Sequence, residues 1–387
     1  MAGATCSELL GGEPVETALV TGGAGFIGSH LVDALVDRGM RVRVLDSLDP
    51  QVHGPDRRVP TYFNPRAEMV KGDVRDRELL WSALQGVEVV FHLAAAVGVG
   101  QSMYEVERYT SANTLGTAVL LDLLVNRSHS VRRLVVASSM SLYGEGSYRC
   151  PLCGPVEPQT RDETQMRTGL WEPLCPECRA TLEPLPTAET KPLQPTSIYA
   201  ISKKDQEEMS LCIGRAYDIP TVALRFFNVY GPRQALSNPY TGAAAIFSSR
   251  AMNGRPPIIY EDGRQSRDFV HVSDVVQANL LAMECEAASF GVFNVGTGRA
   301  LPILEMARII CEQVGPPGLQ PEVTGKHRKG DIRHCYADIS RISALGYKPR
   351  VSFETGVHEL AQWVRTQTAE DRLEQAAAEL EKRKLIG

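Results

Sequence analysis

The chain has 387 residues, of which 43% are hydrophobic and 22% are charged. These fractions are typical of globular proteins and exclude a chain that is mainly disordered, collagenous or coiled coil. The length favours two domains, and the net charge of −5 argues against a nucleic-acid-binding protein, because such proteins usually present a basic face.

The N-terminal sequence has neither the basic region nor the apolar region of a secretory signal. No run of about 18 apolar residues occurs in the sequence, so no membrane span is expected. We therefore expect a cytoplasmic protein. Its nine cysteines would then be free, metal-bound or catalytic, because that compartment is reducing.

From residue 15 onward, short apolar runs alternate with helical stretches. Strands are predicted at 15–20, 42–45, 69–70, 87–93, 134–137 and 221–226. Helices are predicted at 29–38, 76–85, 103–125 and 197–217. This alternation is typical of βαβ units, so the sequence predicts an α/β fold with a Rossmann-type, doubly wound parallel sheet.

Three further segments follow different patterns. Segment 145–195 contains four cysteines, is rich in Pro, Thr and Glu, and shows neither helix nor strand periodicity. Residues 228–242 are rich in Gly, Pro and Asn, which predicts loops around a site. In the tail 368–385, Leu373, Ala377 and Leu380 form an apolar stripe that predicts a helix without a chemical role.

A glycine-rich turn follows the first predicted strand and opens the first predicted helix. Glycine in this setting lets backbone N–H groups approach a pyrophosphate at the helix N-terminus. An acidic residue after the second strand would bind ribose hydroxyls and repel a 2′-phosphate, which favours NAD over NADP. The alternative is an ordinary glycine turn beside a surface carboxylate. The predicted cofactor residues here are Gly22, Gly25, Phe26, Ile27, Gly28 and Asp46.

Further cofactor contacts are predicted where the third and fourth strands end. Asp73 and Val74 follow the third strand, and Leu93, Ala94 and Ala95 follow the fourth. Ligands of open α/β sheets bind at the carboxyl ends of the strands, and small residues let a cofactor approach the backbone. These small residues could also be ordinary core.

A tyrosine and a lysine lie four residues apart on one predicted helix face, at Tyr199 and Lys203. A nearby cation favours the phenolate, so Lys203 could make Tyr199 a usable base. Ser139 ends the preceding predicted strand and could reach the same substrate oxygen. Such a pair is common by chance, but with the glycine turn the set becomes specific.

Together these motifs resemble the extended short-chain dehydrogenase/reductase family, and within it the NAD-dependent nucleotide-sugar epimerases and dehydratases. The resemblance covers about residues 15–365 outside the cysteine segment, through TGGAGFIGSH, SSMSLYG, YAISK, RFFNVYGPR, RQSRDFVHVSD, VFNVGTG and KGDIR in the family's order. It implies a catalytic set of Ser139, Tyr199 and Lys203, with Tyr199 taking the proton of the sugar C4 hydroxyl. It also implies that Asn113 is a structural or cofactor-side residue near the lysine, and that the protein is a homodimer through helices 103–125 and 197–217.

The domains are expected to interleave. We predict an NAD-binding domain from 15–227 plus about 268–295, carrying the insertion 145–195. A smaller nucleotide-sugar-binding domain is predicted from 228–267 plus 296–365, followed by a C-terminal helix at 366–387.

Two positions after the catalytic serine separate the reactions of this family. Dehydratases that resemble this chain carry an Asp-Glu pair there, and decarboxylases carry a Glu at the second position. Here the residues are Met140 and Ser141, neither of which can act as a carboxylate acid or base. The departure favours 4-epimerisation through a transient 4-keto sugar. The alternatives are a 4,6-dehydratase, a ketoreductase, or a nucleotide sensor that has lost the chemistry.

The resemblance also implies contacts to a nucleotide sugar, with arginines for the diphosphate and Tyr260 stacked on the base. Each of these side chains could instead be an ordinary surface residue. Several loops, including DSLDPQVHG and AAAVGVGQSMYEVERYT, resemble the dTDP-L-rhamnose 4-epimerases, which interconvert dTDP-L-rhamnose and dTDP-6-deoxy-L-talose. A UDP-glucose/UDP-galactose type of epimerase is the alternative. The implied substrate residues are Ser139, Asn228, Arg233, Tyr260, Arg267, Arg328 and Asp331.

Two CxxC pairs, Cys150 with Cys153 and Cys175 with Cys178, are separated by 21 residues. This spacing matches a four-thiolate, zinc-ribbon-like site with structural zinc. A disulfide or redox pair and unliganded thiols are the alternatives. Because the insertion lies between Tyr143 and Tyr199, its ends flank the predicted active site, and we expect it to cover the sugar pocket as a metal-stapled lid.

Overall fold

The fold is given by a computed structural model that describes residues 16–238, 240, 242–328, 330–367, 373–383 and 385, without the side chains of 373–377. The strands are β1 (Thr17–Thr21), β2 (Arg41–Asp46), β3 (Glu68–Lys71), β4 (Val89–His92), β5 (Arg133–Ser139), β6 (Ser147–Cys150), β7 (Gly154–Val156), β8 (Glu183–Leu185), β9 (Thr221–Phe226), β10 (Asn228–Tyr230), β11 (Ile258–Ile259), β12 (Ser266–Arg267), β13 (Phe269–His271), β14 (Val292–Val295), β15 (Leu301–Pro302), β16 (Glu322–Val323) and β17 (His334–Cys335). The helices are α1 (Phe26–Asp37), α2 (Pro50–His53), α3 (Arg77–Leu84), α4 (Val99–Ser102), α5 (Val106–Tyr109), α6 (Gly116–Asn126), α7 (Glu163–Arg167), α8 (Ile198–Ala216), α9 (Ala243–Met252), α10 (Val272–Glu284), α11 (Ile303–Val314), α12 (Ser340–Ser343), α13 (Phe353–Val364) and α14 (Leu373–Lys382).

Seven parallel strands form the main sheet in the order β3–β2–β1–β4–β5–β9–β14. The chain starts near the centre and winds outward in both directions, which is the Rossmann-like arrangement that the sequence predicts. β1, β4, β5 and β9 are buried along their whole length, because helices cover both faces of the sheet.

Two hydrophobic clusters hold these helices on the sheet. One contains residues of α1 and α10, including Leu35 and Val275, and the other contains residues of α3 and α6, including Leu80 and Leu120. The order of the strands brings the carboxyl ends of β1, β4 and β5 together at one edge. The predicted cofactor residues follow those ends.

The predicted helix at 103–125 is divided into α5, a π-helical turn at Thr110–Leu115, and α6. Such π-helical turns often occur at functional sites. The segment near 268–295 also differs in part from the expectation, because β13 pairs with β10 outside the main sheet while β14 joins the sheet edge.

A third hydrophobic cluster lies beyond β9 and is formed mainly by α9, α11 and α13. Phe247, Ile310 and Leu360 are among its buried residues. Short strand pairs, β11 with β16 and β12 with both β15 and β17, connect its loops. This smaller layer carries most of the implied substrate residues.

The insertion 145–195 is more regular than its sequence suggests. β6 pairs antiparallel with both β7 and β8, and α7 follows in the same segment. The sequence shows no periodicity there because strands of three or four residues are too short to produce one.

Across the described residues, we find no helix with the length and apolar character needed to cross a bilayer.

Candidate active site

The glycine turn between β1 and α1 requires residues without a side chain. Gly22 has a φ of +71°, and a Cβ there would lie 2.9 Å from the Ala94 amide nitrogen. A Cβ on Gly28 would overlap the Gly22 carbonyl oxygen. The close approach leaves the N-terminus of α1 free of side chains on this side, as a bound pyrophosphate requires.

Asp46 ends β2 beside this turn and is buried. Its Oδ2 accepts a hydrogen bond from the Ala24 N–H at 3.0 Å, and its Oδ1 accepts one from the Leu48 N–H at 2.8 Å. These two bonds fix the carboxylate at the strand end, and its remaining lone pairs can accept hydrogen bonds from a ribose.

A cavity of about 710 Å³ opens at the carboxyl ends of the strands. Ligands of open α/β sheets bind in this place. Most of the predicted site lines it: Gly22, Gly25, Phe26, Ile27, Gly28, Asp46, Asp73, Val74, Leu93, Ala94, Ala95, Ser139, Tyr199, Lys203, Asn228 and Arg328.

The start of α8 places the predicted catalytic residues. Ser197 caps the helix by accepting a hydrogen bond from the Ala200 N–H at 3.1 Å. The Tyr199 N–H donates to the Ser102 hydroxyl at 3.0 Å, which joins the helix to the loop after β4. Lys203, one turn further, donates from Nζ to the Ala137 carbonyl at 2.9 Å.

Burial sets the acidity of this pair. It lowers the pKa of Lys203 to about 7, because no carboxylate compensates for the lost hydration of the ammonium group. Burial raises the pKa of Tyr199, and a hydrogen bond with Ser139 acts in the opposite direction. The predicted lowering of the tyrosine pKa by Lys203 is therefore not observed.

Asn113 is fully buried in the π-helical turn and does not line the cavity. Its Oδ1 accepts from the Ala96 N–H at 2.7 Å, and its Nδ2 donates to the Ala96 carbonyl at 3.1 Å and to the Ser202 hydroxyl at 2.9 Å. Asn113 thus joins the loop after β4 to α8. Of the two roles predicted for it, structural or cofactor-side, this contact is the structural one.

The sequence reasoning missed a buried ion pair behind the catalytic residues. Glu207 Oε2 accepts from the Ser138 hydroxyl at 2.6 Å and from Arg225 Nε at 2.9 Å. Glu207 follows Lys203 by one helical turn, and Ser138 precedes Ser139. Helical spacing alone could have suggested that Glu207 faces the sheet.

On the substrate side, Asn228 and Arg328 line the cavity. Among the described residues, the buried atoms Asn228 Oδ1 and Arg328 Nε have no hydrogen-bond partner. The Arg328 guanidinium lies 4.3 Å from the centre of the Tyr260 ring. Unpartnered polar atoms beside a stacked cation fit a nucleotide ligand.

Four implied substrate residues do not line the cavity: Arg233, Tyr260, Arg267 and Asp331. Arg233 instead pairs with Asp33 of α1 at 2.7 Å, so its geometry gives no support to a substrate contact. Arg267 donates to the carboxylate of Asp331 at 3.3 Å and to the Ile332 carbonyl at 2.7 Å.

The four cysteines of the insertion form one cluster. Their sulfur atoms all lie within 4.8 Å of one another, and Cys150 and Cys175 are buried. However, no residue of 145–195 lines the cavity, so the expected cover over the sugar pocket is not observed. Leu380 of α14, in the tail predicted to be a helix without a chemical role, does line the cavity.

A glycine turn, an aspartate placed where a ribose would lie and a Ser–Tyr–Lys set, all around one cavity, are typical of a dinucleotide-dependent enzyme that acts on a hydroxyl or carbonyl group. Residues 18–165 and 179–296 match the model of the NAD dependent epimerase/dehydratase family. The residues outside the match include Cys175 and Cys178.

Individual relatives agree with this match. The chain is 39% identical to a dTDP-L-rhamnose 4-epimerase of Burkholderia thailandensis over 89% of this chain and 94% of the relative. A UDP-glucose 4-epimerase of Thermotoga maritima, solved with UDP-glucose, has a TM-score of 0.71 at 32% identity and covers 90% of this chain and 99% of its own. A UDP-glucose 4-epimerase of Thermus thermophilus, solved with NAD, has a TM-score of 0.69 at 30% identity and covers 91% and 100%. The chain belongs to the NAD-dependent epimerase/dehydratase family, as an enzyme of its nucleotide-sugar epimerase branch.

Proposed function

We propose that the protein inverts the C4 stereocentre of a nucleotide-activated 6-deoxyhexose, dTDP-L-rhamnose or dTDP-6-deoxy-L-talose. The observation that carries the proposal is the set of Ser139, Tyr199 and Lys203 at the cavity wall, together with Met140 and Ser141 beside it. Bound NAD would supply a reversible hydride acceptor in this cavity, held by the glycine turn and Asp46.

The proton is handled by Tyr199. Its phenolate oxygen takes the proton of the C4 hydroxyl when the sugar is oxidised, and the resulting phenol returns that proton when the 4-keto sugar is reduced. Ser139 hydrogen-bonds the same oxygen. Burial raises the pKa of Tyr199, and the hydrogen bond with Ser139 acts in the opposite direction and favours the phenolate.

The residues after Ser139 argue against elimination of water. Met140 and Ser141 both line the cavity, and the Ser141 hydroxyl donates to Ser139 Oγ at 2.9 Å. A 4,6-dehydratase needs a carboxylate acid and base at these positions, and neither side chain can provide one.

The proposed reaction can be tested with dTDP-, UDP- and GDP-sugars, and the products can be read by NMR. We expect the C4 configuration of dTDP-L-rhamnose to equilibrate without net accumulation of reduced cofactor. If UDP-glucose equilibrates and the dTDP-sugars do not, the enzyme is an epimerase of the UDP-glucose type. Failure of C4 to equilibrate in every sugar would falsify the epimerase assignment.

The choice of sugar is supported by the 39% identity to a dTDP-L-rhamnose 4-epimerase, compared with 32% and 30% for the two UDP-glucose 4-epimerases. The loops after β2 and β4, which resemble that subgroup, contribute Gln51 and Gly98–Gly100 to the cavity.

We also propose that Cys150, Cys153, Cys175 and Cys178 bind a structural zinc ion. Tetrahedral coordination with Zn–S bonds of about 2.3 Å places sulfur atoms about 3.8 Å apart, and the observed spread of up to 4.8 Å is compatible with it. Four protein ligands leave no position for a catalytic water. Elemental analysis of the purified protein should find about one zinc per chain, and less than about half an equivalent would contradict the proposal.

A homodimer is proposed through α8 and the segment around α6. These elements pack on each other through the Thr114 hydroxyl, which donates to Asp205 at 3.0 Å. Beside this contact, Leu115 and Ile201 are exposed apolar residues. Adjacent exposed apolar side chains on two packed helices are a common feature of a subunit interface.

A further inference from the structure

The cysteine-bearing insertion is joined to the substrate-side loops by buried charged side chains. Arg161 of the insertion is 1% exposed and donates to both carboxylate oxygens of Glu261, at 2.9 and 2.8 Å. Arg333 is fully buried and donates to the same carboxylate at 2.8 Å and to Asp262 at 2.7 Å. Glu261 therefore connects the insertion to two segments of the smaller layer.

Arg161 also holds the backbone near Asp331. Its Nη2 donates to the Asp331 carbonyl at 3.0 Å, while Arg267 Nη2 binds the carboxylate of Asp331 and the Ile332 carbonyl. Arg161 thus holds the main chain of this segment at Asp331, and Arg267 holds the Asp331 side chain and the main chain at Ile332. Because both guanidinium groups are largely buried, these contacts are shielded from water and restrict the segment strongly.

Each cysteine pair anchors one arm of the insertion against the same region. Glu172, three residues before Cys175, accepts from Arg333 at 2.6 Å and pairs with His334 at 2.9 Å. On the other arm, the Tyr148 hydroxyl donates to Glu145 at 2.9 Å and accepts from the His334 N–H at 3.1 Å. The cysteine cluster therefore holds together two arms that contact Arg333 and His334.

The segments held in this way carry the implied nucleotide contacts. Tyr260 directly precedes Glu261, and Arg328 stacks on Tyr260 and lines the cavity. Asp331 lies two residues before Arg333. The insertion itself contributes nothing to the cavity wall, so it can influence substrate binding only through these segments.

We propose that Arg161 is a positioning residue for the nucleoside diphosphate half of the substrate, and that the cysteine-held insertion serves to place it. The proposal rests on the proposed function for the identity of the ligand. Removing Arg161 leaves Glu261 buried with one cation instead of two and frees the Asp331 carbonyl, so Tyr260 and Arg328 lose their fixed geometry. Cofactor binding and the chemistry at C4 depend on other elements and are unaffected.

The test compares Arg161→Met with Arg167→Met in the full-length, NAD-loaded enzyme. Arg167 lies on α7 of the same insertion, is 70% exposed and pairs only with Glu163 among the described residues, so it controls for a change of charge. Calorimetry with dTDP and with UDP measures nucleotide affinity directly. We expect R161M to weaken binding of the better ligand about tenfold and to raise KM for the nucleotide sugar similarly. NAD content and kcat at saturating sugar should stay within about twofold, and R167M should match the wild type.

Two outcomes overturn the proposal: a folded R161M that binds both nucleotides as tightly as the wild type, or a parallel loss of NAD content and kcat, which indicates a general structural role. If R161M does not fold, Glu172→Gln decides, since Glu172 is only partly buried and also contacts this region. Unchanged nucleotide affinity in E172Q then contradicts the proposal.

Failure of the proposed function looks different. If the enzyme binds dTDP or UDP in an Arg161-dependent way but inverts no sugar, the positioning role of Arg161 is supported and the epimerase assignment is contradicted. If both R161M and E172Q epimerise the sugar at the wild-type rate with an unchanged KM, only the positioning role is contradicted.

Discussion

Tyr199 and Lys203 are polar groups held in a buried environment at the cavity wall. Burial raises the pKa of Tyr199 and lowers that of Lys203 to about 7, so both groups are shifted toward their neutral forms. At the cavity wall, Tyr199 can take a proton as the phenolate and return it as the neutral phenol. Reversible proton transfer is what an epimerase requires of this pair.

Replacement of Tyr199 by Phe is expected to abolish most of the activity, because phenylalanine has no hydroxyl to exchange the C4 proton. We expect kcat to fall by about 10²- to 10⁴-fold, while NAD content is retained. Tyr217→Phe, at the exposed end of the same helix, is the matched control and should retain full activity. An unchanged rate in Y199F would exclude Tyr199 as the base.

The buried Lys203 predicts a pH dependence of stability in the NAD-free protein. Its pKa is about 7 in the folded chain and about 10.4 when unfolded, so between these values the unfolded chain binds the extra proton. The free energy of unfolding should therefore rise with pH over this range, by up to about 1.4 kcal/mol per pH unit from this residue.

Chemical denaturation at several pH values measures this contribution as the difference between the wild type and Lys203→Met. Lys204→Met is the control, since Lys204 is partly exposed and pairs with Glu208. The interpretation is wrong if the wild type and K203M show parallel pH dependence from pH 7 to 10.

At the scale of elements, α14 closes one side of the cavity. Leu380 is 7% exposed, packs beside Gly100 and lines the cavity wall. The helix is held at both sides, because Arg383 lies 4.1 Å from the centre of the Tyr104 ring and Glu381 pairs with Lys326 at 3.5 Å. α14 thus connects the loop after β4 to the loop that leads to Arg328.

Truncation of this apolar wall should weaken substrate binding. We expect Leu380→Ala to raise KM for the nucleotide sugar by roughly 5- to 30-fold, from about 1–2 kcal/mol of lost apolar contact. Lys382→Gln, exposed on the same helix, should leave KM unchanged. Steady-state kinetics give the comparison, and equal KM values in both variants would show that α14 has no part in the site.

At the scale of the whole molecule, two exposed apolar side chains lie on the surface of the proposed dimer interface. Leu115 and Ile201 are 51% and 43% exposed, on elements that pack on each other beside the catalytic helix. An interface at this place would cover both apolar side chains and restrain the helix that carries Tyr199.

The double substitution Leu115→Glu and Ile201→Glu should convert the dimer to a monomer, because it buries two carboxylates in an apolar contact. Sedimentation velocity measures the change. Leu152→Glu is the control, since Leu152 is 78% exposed on the insertion, away from these helices. A double variant that sediments like the wild-type dimer would place the interface elsewhere.

Much of the site could be predicted from the sequence because its signals are local. The glycine turn spans Gly22–Gly28, Tyr199 and Lys203 are one helical turn apart, and each cysteine pair occupies four residues. Backbone geometry fixes the relative positions of residues this close in the chain. The seven-stranded sheet follows from the same kind of signal, the alternation of short strands and helices.

The tertiary structure decided the features that join distant segments. Arg161 meets Glu261 across 100 residues, Arg233 meets Asp33 across 200, and Leu380 reaches a cavity built mostly by the first half of the chain. No period or motif spacing encodes such contacts, because they depend on how complete layers pack. For this reason the sequence by itself predicted the cofactor turn, the catalytic set and the cysteine cluster, whereas only the packed structure showed that the insertion contacts Glu261 and Asp331 and that Leu380 of the C-terminal helix, not the insertion, lines the cavity.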